Sequence, residues 1–133
     1  FIQFWDKPLQ LNQLKDLELQ SPVVNLLVLS ACQTALGDLK AEMGFAGLAV
    51  KSGSQAALGS LWAVSDVGTL AFMVEFYRQL QTASIKAEAL RKTQTSMING
   101  TLHLPANSPS TGVDINLSHP YYWSAFTLIG NPW

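Results

Sequence analysis

Cys32 is the only cysteine in the chain, and its thiolate would be the strongest nucleophile the sequence can offer. It follows an apolar run, Val23 to Leu29, interrupted only by Asn25, and it is flanked by the polar or small residues Ser30, Ala31, Gln33 and Thr34. A short unalternating apolar run after a proline (Pro22) suits a strand buried on both faces, the kind found in parallel α/β sheets. Ligands of such sheets bind beyond the carboxyl ends of the strands, where Cys32 would lie. By position alone, a lone cysteine is more often a small buried hydrophobe than a nucleophile. Trp62 ends a second run, Gln55 to Trp62, with Asp66 shortly after it, and both would reach the same sheet edge. Asp66 is equally readable as a helix N-cap, and Asp38 as a solvated turn residue. Of the two histidines, His103 sits in a polar stretch and reads as solvated, and His119 reads as packed beside Pro120 and Tyr121.

The elements that position these residues can be read from punctuation and periodicity. Phe1 to Trp5 suits a short strand or a segment over a core, followed by a turn at Asp6-Lys7-Pro8. A brief helix is expected from Asn12, as N-cap, to Asp16, before Ser21-Pro22 resets the chain to an extended form. A helix from Ala41 to Lys51 is closed by Gly53 at the C′ position. Gly44, Ala46 and Gly47 let that helix approach a sheet. Gly59 inside the next strand marks the close approach of a neighbour. Strand, helix and strand over this length make a βαβ unit with parallel strands. Ser65 or Asp66 caps the longest helix, which runs to Leu80 with Leu70, Met73, Val74, Tyr77 and Leu80 on its apolar stripe and Glu75, Arg78 and Gln79 facing away. Ser84 caps another helix, with Ala87, Leu90 and Met97 inward and an end near Asn99-Gly100. Thr101 to Ser118 is a long loop. A last strand, starting at Trp123, ends before Gly130.

Composition excludes several functions. The net charge is −1, 13% of residues are charged, and no basic run points to nucleic acid or an anionic membrane. No stretch approaches the roughly twenty apolar residues of a membrane span. A single cysteine excludes an internal disulfide or a multi-cysteine metal site, and suits a reducing, cytoplasmic compartment. No Gly-x-Ser-x-Gly elbow, dinucleotide glycine pattern or phosphate-binding Gly-Lys-Ser/Thr is present, so no cofactor or metal is expected. The aromatics Trp62, Tyr121, Tyr122 and Trp123 lack basic neighbours and read as core rather than as base-stacking platforms. At 133 residues the chain fits one domain, and a start at Phe1 without Met reads as an excised or processed piece.

Four stretches together resemble one family. They are Ser30-Ala31-Cys32-Gln33-Thr34-Ala35-Leu36-Gly37-Asp38, Gly44-Phe45-Ala46-Gly47-Leu48-Ala49, Gly59-Ser60-Leu61-Trp62-Ala63-Val64-Ser65-Asp66, and His119-Pro120-Tyr121-Tyr122-Trp123-Ser124-Ala125-Phe126-Thr127-Leu128-Ile129-Gly130-Asn131-Pro132. Their order and spacing are similar to those of CHAT domains, bacterial caspase-like cysteine peptidase domains often fused to tetratricopeptide repeats. The resemblance implies a three-layer αβα sheet of the caspase-haemoglobinase type, here partial, with parallel strands and a final antiparallel one. It makes Cys32 the nucleophile, with Ser30 and Gln33 beside it as substrate-binding residues and with Trp62 and Asp66 on the wall of the substrate pocket. Asp66 would there favour a basic side chain through charge-assisted hydrogen bonds. The family's histidine, followed by glycine, lies upstream of the cysteine strand, and no histidine precedes His103 here.

Residues 1–133 therefore read as the carboxyl-terminal, Cys-bearing half of such a domain, acting on a protein or peptide and inactive alone. The alternative is a non-catalytic signalling or interaction module of the same fold. His119 is a poor substitute base: with the last strand antiparallel beside Gln55–Trp62, two strand spacings, about 9 to 10 Å, separate it from Cys32. The expected partners are the missing amino-terminal half, a fused repeat domain and, unless Phe1 to Leu11 folds back to cover it, a second copy paired along the Val23–Leu29 edge.

Overall fold

The computed structural model describes residues 2–3, 5–30, 39–102 and 116–133. Cys32, Gln33, Thr34, Asp38 and His103 lie outside them. The described chain is mixed α/β and divides into two units, residues 1–63 with 126–132, and residues 64–125 with 133. The class agrees with the expected partial caspase-like αβα fold.

The first unit is organised on a three-stranded sheet in the order β3 (Leu27–Val28), β4 (Ala56–Ser60), β5 (Phe126–Gly130). β3 is parallel to β4, with Leu27 opposite Ala57 and Val28 opposite Leu58. β5 is antiparallel to β4 along its whole length, from Ala56 opposite Gly130 to Ser60 opposite Phe126. Both directions match the sequence reading. The regular β3 ladder is shorter than the expected Val23–Leu29 strand, but single bonds extend it: Gln55 N donates to Val24 O at 2.8 Å and Leu29 N to Leu58 O at 2.8 Å. Among the described residues β3 has a strand neighbour on one side only. Among the described residues the amino-terminal segment adds no strand to the other side. Its strands β1 (Ile2–Gln3) and β2 (Pro8–Leu9) pair with each other in a separate hairpin.

Helix α1 (Leu39–Lys51) packs on one face of this sheet. Ala46 and Ala49 join Ala57 and Leu19 in a core lined by Val24, Leu27, Leu29, Val50 and Ile129. Small side chains at the contact allow the close approach, but Gly47 is not part of it, since a Cβ there would meet nothing within 4 Å. A Cβ at Gly59 would stand 3.6 Å from the Ala46 methyl, an ordinary contact, so no backbone crowds that glycine. The α1 end is as expected. Gly53, at φ +110°, donates to Val50 O and Ser54 N donates to Ala49 O, the paired bonds of a left-handed helix stop. Gly130 is constrained more severely, with φ +98° and a would-be Cβ 2.5 Å from Gln55 O. The brief helix before the sheet is a 3-10 helix over Leu11–Leu17 with Gln10, not Asn12, at its start; Gln10 N donates to the Gln13 side chain at 2.8 Å.

The second unit pairs α2 (Asp66–Leu80) with α3 (Lys86–Ile98) and adds the single turn α4 (Pro120–Trp123). The buried face of α2 is not the expected one. Ala71, Phe72, Met73, Glu75 and Phe76 are buried, while Leu70 and Tyr77 are 40% and 52% exposed. Two apolar stripes overlap in this sequence, and the one with two phenylalanines wins. Burying each contributes about 1.5–3 kcal/mol, while Tyr77 stays half-exposed. Phe72 and Phe76 stack with centroids 6.0 Å apart.

Glu75 was expected outside and is 1% exposed. Its carboxylate accepts two bonds from the Arg78 guanidinium, at 2.9 and 2.6 Å, and one from the Gln79 amide at 2.7 Å. On α3 the buried residues are Ala89, Thr93 and Met97, so Ala87 and Leu90 lie off the buried stripe. Thr93 is tolerated there because its hydroxyl donates to Ala89 O at 2.8 Å. Ser84 does not cap α3. Ile85 is the N-cap, and Ser84 N donates to the Glu88 carboxylate. Similarly, Trp123 ends a helical turn rather than beginning a strand, because Pro120 at the first helical position favours that start.

The Arg78 hydrogen bonds hold Glu75 below the ordinary glutamate range; burial opposes this, and Gln79, the charge of Arg78 and Ser96 reinforce it. A carboxyl with a depressed folded pKa adds stability above its unfolded pKa and loses it as pH falls through the folded value. The melting temperature should therefore drop as pH falls from about 5 toward 3, and Glu75→Gln should flatten that drop. Equal slopes in thermal melts across this range would show that the buried pair contributes nothing.

Candidate active site

Parallel pairing brings the carboxyl ends of β3 and β4 to one edge of the sheet, and antiparallel pairing adds the start of β5 there. Ser30 lies just past β3 and is exposed. Continuing the register from Val28 opposite Leu58 sets Ser30 beside Ser60. Trp62, two residues beyond β4, is half-buried. Two of the expected site residues, Ser30 and Trp62, therefore belong to the same edge, on chain segments two to four residues from the ladder. Cys32 follows Ser30 by two positions in the sequence and, like Gln33, lies outside the described residues.

Asp66 belongs to the second unit, as the first residue of α2, and is exposed. The cap itself is Ser65, whose Oγ accepts from Gly68 N at 3.2 Å. The carboxylate of Asp66 is thus not spent on capping, and among the described residues it has no ionic partner. A negative charge in the first turn still complements the helix dipole.

His119 also has a role that its neighbours foreshadowed only in part. It is exposed, and its Nδ1 accepts from Tyr121 N at 3.2 Å, making it the N-cap of α4. The proline after it was the available signal, since proline favours the first helical position. That ring nitrogen is engaged within the α4 turn. The α4 turn is anchored further by Trp123 Nε1 donating to Ser118 O at 3.0 Å, and by Gln94 Nε2 donating to Trp123 O at 3.3 Å.

The CHAT domain model matches residues 2–131. The chain belongs to the CHAT domain family. Its relation is thus to a caspase-like, peptidase-related domain, the family that the four sequence stretches resemble. Comparison with curated proteins gave no match, and comparison with solved structures gave none. For this CHAT domain, no group of three or more possible metal ligands occurs among the described residues. No helix among them is long and apolar enough to cross a membrane.

Ser65 and Asp66 should separate by mutation. Ser65→Ala removes the cap bond and should lower stability by about 1 kcal/mol. Asp66→Asn should cost about 0.3–1 kcal/mol at most, and less at high salt, because only the dipole interaction is lost. Thermal melts at low and high salt check this; a larger loss in Asp66→Asn would return the capping role to the carboxylate.

Proposed function

We propose that this chain supplies the Cys-bearing half of a caspase-like cysteine endopeptidase. The observation that carries the reading is family membership over residues 2–131 together with Ser30, two residues before Cys32, at the carboxyl edge of a parallel strand pair. In this reading the Cys32 thiolate attacks the carbonyl carbon of a peptide bond. The tetrahedral adduct collapses to a thioester as the amine leaves with a proton from the general acid. Water, deprotonated by the same group, then releases the acid product and the thiol. Ser30 and Gln33 flank the nucleophile, Trp62 walls the pocket, and Asp66 favours a basic side chain before the cut.

The base comes from a histidine-bearing segment outside these 133 residues, because His119 is engaged as the α4 cap. That segment pairs along the outer edge of β3. Strand edges left unpaired are templates for another strand, and residues 23–30 carry no charge to deter it.

Two measurements test the proposal. The 133-residue chain alone should show no Cys32-dependent cleavage of Arg- and Lys-containing peptide libraries, and addition of the histidine-bearing segment should restore it. Turnover by the chain alone that disappears in Cys32→Ala would overturn the division of the site and return His119 as base. Without the segment, the β3 edge should pair with a second copy, giving a dimer or larger species by light scattering at micromolar concentration. A monomer whose Leu26 and Val28 amides exchange rapidly would count against pairing at this edge.

A further inference from the structure

We infer that Tyr122 is a positioning residue for Asp66, acting through the first turn of α2; this rests on the reading of Asp66 as the group that meets a basic substrate side chain. The observation is the packing at Gly68. Gly68 is buried in the first turn of α2, two residues after Asp66. A Cβ placed there would stand 2.6 Å from Cδ1 of Tyr122 and 2.9 Å from Cγ1 of Val64. The Tyr122 ring is thus seated directly on the helix backbone, and only glycine leaves room for it.

The same turn is tied by Ser65, whose Oγ accepts from Gly68 N and whose carbonyl accepts from Thr69 N at 2.8 Å. These bonds fix the turn along its axis. The ring supplies lateral contact, without which an exposed helix start frays.

Tyr122 is itself held on several sides. Its amide donates to His119 O at 3.0 Å, and Ser124 Oγ closes the same turn by donating to Pro120 O at 2.7 Å. The Tyr121 ring meets the Tyr122 ring edge to face, with centroids 5.2 Å apart. Gln94 fastens the next residue to α3 through Trp123 O. An aromatic turn fixed to α3 therefore presses on the one residue of the α2 start that has no side chain. The carboxylate of Asp66 stands on that turn, so its placement depends on a ring that itself need not touch substrate.

Hydrogen exchange on the 133-residue chain tests the positioning directly. Tyr122→Ala should speed exchange of the Gly68 and Thr69 amides by about tenfold relative to amides in the middle of α3, such as Thr93. Tyr122→Phe keeps the ring and should match the unmodified chain. Gly68→Ala, which displaces the ring without removing it, should reproduce the pattern of Tyr122→Ala. No change, or an equal change at Thr93, would overturn the inference.

Peptide discrimination by the domain assembled with its histidine-bearing segment provides the second arm. Preference for arginine over citrulline before the cut should fall in Tyr122→Ala toward that of Asp66→Asn, and return in Tyr122→Phe. Preference lost in Asp66→Asn but intact in Tyr122→Ala overturns the positioning role and spares the proposed function. Preference unchanged in Asp66→Asn overturns the pocket role of Asp66 and the Tyr122 role that depends on it.

Discussion

The first unit depends on the double pairing of β4. Ala56, Ala57 and Leu58 are wholly buried, and their backbone groups are satisfied by β3 on one side and β5 on the other. Burial without such partners would cost more than the apolar side chains return, because each orphaned amide or carbonyl carries its own desolvation penalty. The alanines along this strand also let α1 approach closely. The Ala46 methyl fits over Gly59, and Ala49 packs with Ala57 in the same core. Register follows from this packing: a slip by one residue would turn Leu58 toward α1 in place of Ala57. The sheet edge that gathers Ser30, Trp62 and the start of β5 is a direct product of that register.

The second unit solves a different problem, that of burying a charged residue between helices. Glu75 is tolerated because three donors on its own helix, one turn further on, reach back to both carboxylate oxygens. Arg78 keeps nearly half of its side chain in water, so the pair is not desolvated on both sides. This is cheaper than a fully buried ion pair, whose desolvation often exceeds its attraction. The arrangement also leaves Phe72 and Phe76 free to supply the apolar contact. It accounts for why the face of α2 with the more regular periodicity remains in part exposed.

The expected site residues are thus carried by elements of contrasting character. Ser30 and Trp62 extend from a backbone ladder. Asp66 stands on a helix start, where the cap is a serine hydroxyl and the lateral support is an aromatic ring. A ladder fixes position through many cooperative bonds, whereas a helix start is fixed by a few side chains and responds to single changes there. His119 shows the same economy, since one imidazole nitrogen closes the turn that holds the aromatic ring in place.

The amino-acid sequence by itself determined the family, the α/β class, the parallel β3–β4 pair, the antiparallel last strand, and the Gly53 helix stop. These rest on local signals that tertiary contacts rarely reverse: an apolar run broken only by Asn25, a glycine after a helix, and four motifs in fixed order. Tertiary structure alone decided which face of α2 is buried, because two apolar stripes overlap there and only the partner helix and the Arg78–Glu75 pair distinguish them. It also decided that Ser65 rather than Asp66 caps α2, and that Ile85 rather than Ser84 precedes α3. Several residues near each helix start have capping chemistry, and the chain path selects among them. The Pro120–Trp123 turn and the seat of Tyr122 on Gly68 were likewise decided in three dimensions. Alternation in a short aromatic segment is compatible with strand or helix, and the choice fell to the proline, the His119 cap and the space that a distant glycine leaves open.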